Sequence, residues 1–139
     1  MTVAEEVVIR RPAEAVYGFC RDLTNVARYV GDVDRVEKLS ELAYRWHVTP
    51  YGLTMTVVVS RELAPRYLRY GTRGSIRGVW ELEFFADRPD VTRVRERLHV
   101  PLGVPGRLVL ALAGKFPGSE VRENLARLKT VLERGVLGI

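Results

Sequence analysis

Cysteine occurs once in this chain of 139 residues, and glutamine is absent. Lysine numbers only three, against 19 arginines, and there are two each of asparagine, methionine and histidine. The lone Cys20 excludes an internal disulfide and fits a reducing cytoplasm better than a stapled secreted module. No apolar run approaches the roughly 20 residues of a spanning helix; the longest is Leu108 to Gly114. Met1 to Arg11 carries Glu5 and Glu6 and lacks the apolar stretch of a signal peptide. These absences lead us to expect a soluble, cytoplasmic protein. No Lys/Arg run has the roughly 5–8 residues of a basic tract, so no specific nucleic-acid motif is present. The glycines at 71 and 74, and at 103 and 106, form neither a phosphate loop nor a dinucleotide fingerprint. No Ser-His-acid or Cys-His grouping has local support. His47 and His99 have no second ligand at metal-binding spacing, so we expect no metal.

What is present is globular in kind: 47% hydrophobic, 28% charged, net charge +5. A basic balance permits contact with RNA or a membrane, and its plainer reading is a solvated surface. Scarce thermolabile residues fit a heat-adapted source, and the arginine excess fits a GC-rich genome equally well. The length suits one domain, 1–139, large enough to bury roughly 70% of its unfolded surface. Oligomeric state leaves no trace in the sequence.

The order of elements is legible. Val3 to Arg10 alternates weakly as a first strand. Pro12 then stands where a helix begins, and Val16, Phe19, Cys20 and Leu23 follow at helical spacing. Asp22 to Asn25 breaks that helix, and Val26 to Val30 suits a second short one. Strands are expected over Asp34–Leu39, Leu42–Thr49, Leu53–Arg61, Arg66–Thr72, Ile76–Ala86 and Thr92–Val100, with Asp87–Asp90 as a hairpin loop. Val104 to Phe116 is apolar nearly all round. Ser119 is a candidate N-cap, Val121, Leu125, Leu128 and Leu132 form a stripe, and Gly135 is a candidate stop. Short connections imply an antiparallel sheet, and the terminal stripe must pack on it.

Four stretches in this order, RPAEAVYGFCRDLTNVARYV (Arg11–Val30), GSIRGVWELEFF (Gly74–Phe85), TRVRERLHVPLGVPG (Thr92–Gly106) and ENLARLKTVLERG (Glu123–Gly135), resemble the START-like, or SRPBCC, superfamily. The likeness is strongest to its polyketide cyclase/dehydrase-type branch, and some relatives bind coenzyme Q. The resemblance implies an α+β helix-grip fold. In it a seven-stranded antiparallel sheet wraps a long C-terminal helix, with one or two short helices after strand one. It implies an elongated, mostly apolar cavity between sheet and helix for a lipid, quinone or polyketide-like molecule. It supplies no universal catalytic motif, and we expect no cofactor.

One residue in this scheme stands out. In Thr92–Val100, alternation puts Arg93, Arg95, Arg97 and His99 on one face and Val94, Glu96, Leu98 and Val100 on the other. Pairing Phe84 with Val94 sets Leu82 opposite Glu96 and Trp80 opposite Leu98. The same register sets Glu83 opposite Arg95 and Glu81 opposite Arg97, which marks the charged face as outward. Glu96 then points inward, where glutamate is rarely buried without a partner. It pairs with an inward arginine (Arg69 or Arg66), or lines a ligand cavity, or sits in a bulge that turns it out. The facing of 66–72 is open: Leu68 and Tyr70 point inward, or Tyr67 and Arg69 do. The candidate cavity residues are Trp46, Met55, Val57, Arg69, Tyr70, Trp80, Leu82, Phe84, Glu96, Leu98, Leu108 and Leu112. Glu96 is the candidate acid or base should the protein be an enzyme. Carrier, cyclase/dehydratase-type enzyme and basic interaction module are the three functional readings. Converging polar groups in the cavity would favour the enzyme, a single polar anchor the carrier, and unneutralised arginines the module.

Overall fold

The computed structural model describes residues 2–48, 52–73, 78–100 and 118–136. The elements are β1 (Thr2–Ile9), α1 (Ala13–Arg21), a 3₁₀ helix (Leu23–Arg28), β2 (Val33–Lys38), β3 (Ala43–Val48), β4 (Leu53–Leu63), β5 (Tyr67–Arg73), β6 (Val79–Arg88), β7 (Val91–His99) and α2 (Gly118–Val136). All seven strands form one antiparallel sheet in the order β1-β7-β6-β5-β4-β3-β2. This is the helix-grip architecture expected from the sequence.

Sheet curvature can be read from side chains. Trp46 on β3 and Trp80 on β6 lie three strand spacings apart, roughly 14 Å in a flat sheet. Their ring centroids are 5.2 Å apart. The sheet therefore curls, and its inner face becomes a concave lining. Helix α2 packs along the edge strand β1. Its stripe of Val121, Leu125, Leu128 and Leu132 is buried as expected. Polar tethers fix the helix to the same edge: Lys129 donates to the Val8 carbonyl at 2.7 Å and Arg11 to the Leu132 carbonyl at 3.1 Å.

Local departures from expectation have local causes. The second short helix spans Leu23–Arg28 rather than 26–30, because Asp22 accepts from the Thr24 amide at 3.1 Å and caps a new turn at once. The hairpin loop after β6 narrows to two residues, Pro89 and Asp90, since the strands extend through a bulge near Asp87. Helix α2 begins at Gly118, one residue ahead of the serine expected to cap it, and runs through Gly135 to Val136. The apolar segment 104–116, with Leu108 and Leu112, lies outside the described residues.

The β6–β7 register is the expected one, with Phe84 opposite Val94, Leu82 opposite Glu96 and Trp80 opposite Leu98. The outer face carries the charges, and its ion pairs run more diagonally than the register alone suggests. Arg93 bonds Glu6 at 3.1 Å and Asp87 at 3.2 Å, while Arg97 meets Glu83 at 3.6 Å. Glu81 turns to His99 at 2.5 Å and also accepts from the Tyr67 hydroxyl. His47 is likewise outward and bonded to Glu37, at 2.5 Å.

Candidate functional site

The concave face divides into a filled end and an end that holds a cavity. At the filled end, Ile9, Tyr17, Leu82, Phe84 and Val94 are buried, with Phe84 edge-on to Tyr17 at 5.4 Å. At the other end, Trp46, Met55, Tyr70, Trp80, Glu96 and Leu98 line a cavity together with Val121 and Asn124 of α2. The cavity volume is about 30 Å³. Among the described residues this is a small space, and the expected closing residues Leu108 and Leu112 lie outside them. Three rings narrow it: Tyr70 stacks on Trp80 at 5.6 Å, and Trp46 touches both, at 5.9 and 5.2 Å. Trp80 and Met55 are only half-buried and form the yielding part of this wall.

Glu96 sits in that wall at 5% exposure. The inward arginine expected as one possible partner is not there. Leu68 and Tyr70 face inward, while Arg69 is exposed on the charged face opposite Glu81. The reason lies in the β5–β6 register: Tyr70 pairs with Trp80, which leaves Arg69 only the outward side. Arg66 is also exposed. Nor does a bulge turn Glu96 out, since the pairing is regular from Val79 to Ala86. The cation that α2 brings near this strand pair, Arg122, is held by Glu5 at 3.0 Å. Among the described residues Glu96 makes no hydrogen bond or ion pair, and burial alone pushes its carboxyl up to about 7.

Three further titratable groups surround it on separate elements: Cys20 of α1, Tyr29 at the end of the 3₁₀ helix, and Tyr70 of β5. Burial raises all three, and the nearby Glu96 adds to the rise in each. Cys20 is the small core residue its helix position suggested, 0% exposed. The Tyr29 hydroxyl lies close to Tyr70 and Cys20, yet finds no well-formed hydrogen bond, and neither does the Trp46 indole N–H.

The candidate residues therefore separate. Trp46, Met55, Tyr70, Trp80, Glu96 and Leu98 converge on the cavity. Val57, Leu82 and Phe84 face the same side but belong to packed core, at 0–3% exposure. Arg69 is outside, and Leu108 and Leu112 lie beyond the described residues. Sequence reasoning missed Asn124, which lines the cavity at 7% exposure and accepts from Arg127 at 2.7 Å. A signal was available: Asn124 stands three residues after Val121 on the apolar stripe, the helical counterpart of Glu96. It also missed Asp32 and Thr72 in the lining. Among the described residues no group of three metal-ligating side chains occurs, and no helix is long and apolar enough to cross a membrane.

A curled antiparallel sheet gripping a terminal helix, with a lined cavity between them, defines a ligand-binding class of fold. The family profile described as "Polyketide cyclase / dehydrase and lipid transport" matches residues 1–133. The chain belongs to that family, within the START-like, or SRPBCC, superfamily. Similar solved structures include a Deinococcus radiodurans protein at 23% identity, TM-score 0.74, covering 97% of this chain and 99% of that one. A START superfamily protein from Mycobacterium smegmatis is 20% identical with TM-score 0.73, covering 96% and 97%. The di-domain ARO/CYC protein BexL, from the BE-7585A biosynthetic pathway, is 14% identical with TM-score 0.66 over 96% of this chain and 50% of that one. No curated protein matches the chain by sequence.

Proposed function

We propose that the chain binds an apolar or amphipathic small molecule between the Trp46–Tyr70–Trp80 rings and α2, with Glu96 as its polar anchor. One observation carries this reading. A glutamate is kept at the wall of an apolar cavity with no partner among the described residues, where leucine would stabilise the fold better. A ligand donor is the partner such a carboxyl lacks. Because the cavity holds about 30 Å³, a larger ligand enters by displacing Trp80 and Met55 rather than by filling an open space. Native mass spectrometry of the purified protein tests the reading. A co-purifying small molecule supports it. A bare protein that also shows no thermal shift with lipids, quinones or aromatic polyketides overturns it.

A second reading is favoured by the pKa of Glu96, about 7, which suits an acid or base at neutral pH. Tyr70, Thr72 and Asn124 line the same cavity, more polar groups than a simple carrier needs. In that case the bound molecule is a substrate of cyclase/dehydratase type, and Glu96→Gln abolishes turnover while binding persists. The basic-module reading loses its main support, because Arg93, Arg95 and Arg97 are all paired with acids.

A further inference from the structure

We propose that a groove on the outer face of the sheet, at the β4–β5 hairpin, is a second ligand site, for an aromatic molecule that carries a carboxylate or phosphate group. It lies across the sheet from the cavity and is independent of the reading given to that cavity.

Three observations converge. First, the groove has room. Arg61, Leu63, Arg66, Tyr67, Glu83 and Phe85 line a volume of about 440 Å³. Small-molecule sites span roughly 300–1,000 Å³, so a bicyclic ring enters without moving a wall. Second, its cations are in surplus. The acids around it are taken: Glu62 bonds Arg21, Glu81 bonds His99, Glu83 meets Arg97 at 3.6 Å and Asp87 meets Arg93 at 3.2 Å. Arg61 and Arg66 are exposed, and among the described residues neither has an acid partner. The segments 49–51, 74–77, 101–117 and 137–139 contain no aspartate or glutamate, so they bring no acidic side chain to the groove. Third, the cations stand on aromatic surface. The Arg61 guanidinium lies over the Tyr67 ring, 5.8 Å from its centroid, and Arg93 lies over Phe85 at 4.3 Å. A guanidinium stacked on a ring keeps its edge N–H groups in a planar fork that matches a carboxylate or phosphate. Leu63, 51% exposed, adds apolar floor beside the half-buried Tyr67 and Phe85. A bare anion uses the fork alone, and an aliphatic chain uses the floor alone. An aromatic anion uses both, and its ring also stacks on a guanidinium plane.

Three probes with one ring system test the site: naphthyl phosphate, naphthoate and naphthalenemethanol. The full chain is titrated into each at neutral pH and low salt, and binding is read from the anisotropy of the probe's own fluorescence. The better anion is expected to bind about tenfold or more tightly than the alcohol. Whichever anion leads assigns the head as phosphate or carboxylate, and either result supports the proposal. No binding, or no advantage over the alcohol, overturns it. Replacing both cations, Arg61→Ala with Arg66→Ala, is expected to erase the advantage; both side chains are exposed, and an unchanged thermal unfolding curve checks the fold. An advantage that survives in this variant overturns the proposal. Should the double variant not fold, Arg61→Gln decides alone, with an expected loss of about threefold and an unchanged affinity overturning the site. Glu96→Gln, altered only in the cavity, is expected to bind the anions as the wild type does. A tenfold change there would seat them in the cavity, which overturns the groove and leaves the cavity reading standing.

Discussion

The two ends of the concave face are built from the same strands and differ in how they close. β7 passes through both, with Val94 at one end, Leu98 at the other and Glu96 between them. At the Val94 end, Ile9, Tyr17 and Phe84 complete a core with every member at most 7% exposed. At the Leu98 end, three aromatic rings meet without sealing the space, and Gly78 lines it while presenting no side chain. Hydrophobicity does not separate the ends, since the cavity end is the more aromatic of the two. The difference is shape and one carboxyl. The filled end is organised for stability and the cavity end gives part of it up.

The sharpest test of that contrast is a pair of truncations. Phe84→Ala removes a ring that is 3% exposed and packed edge-on to Tyr17. Its expected loss is about 3–5 kcal/mol by urea denaturation, the range for buried phenylalanine. Trp80→Ala removes a larger side chain from a half-buried wall that already borders a void. Less surface returns to water and less new cavity forms, so its expected loss is roughly half as great. Equal losses would break the comparison, because Trp80 would then be core in all but position.

Glu96 supplies the next largest effect, and its sign distinguishes a tolerated burial from a stabilising one. The folded carboxyl titrates near 7 instead of 4.5, so between those values the native state holds more protons than the unfolded chain. Stability therefore falls as pH rises from 4.5 to 7 and levels off above. Of the groups around Glu96, Cys20, Tyr29 and Tyr70 are raised above their ordinary values and stay neutral across that window. Glu96→Gln should match the wild type near pH 4.5 and exceed it by about 3 kcal/mol at pH 8. A gap independent of pH would mean that the carboxyl has a compensating partner.

These contrasts were unevenly legible in the sequence. The inward facing of Glu96 followed from its neighbours, because Glu81 and Glu83 opposite Arg97 and Arg95 fixed one register out of two. The terminal stripe was legible because helical spacing exposes it. The facing of β5 was not, since YLRYGTR offers an apolar residue on either side of the strand. Only its pairing with β6 decides between Tyr70 and Arg69. Asn124 could have been found as a polar residue on an apolar stripe. Asp32 could not, because it precedes β2, where no periodicity reaches. Cavity volume was out of range for a physical reason. It depends on contact between rings on β3 and β6, and curl, rather than local pattern, brings them together.

The smallest expected effect lies on the other side of β7 and sharpens the comparison by its smallness. Arg97 reaches Glu83 at 3.6 Å with its side chain 38% exposed, so water and salt screen the pair. Its neighbours repeat the arrangement: Arg95 meets Glu6 at 3.6 Å, and Arg93 shares that same glutamate while bonding Asp87. The side chains of Glu83 and Glu6 stay 30% and 41% exposed, so losing one arginine strands no fully buried carboxylate, although the Glu83 Oε1 that faces Arg97 is itself buried without a hydrogen bond. Arg97→Ala is expected to change stability by about 0.5 kcal/mol or less, and a double-mutant cycle with Glu83→Ala should return a coupling of similar size. A coupling well above about 1 kcal/mol would show that the outer ladder fixes the sheet's register energetically. The small value places the selective weight of this strand on its inner face. There, a single carboxyl without a partner among the described residues outweighs several arginines that each have one.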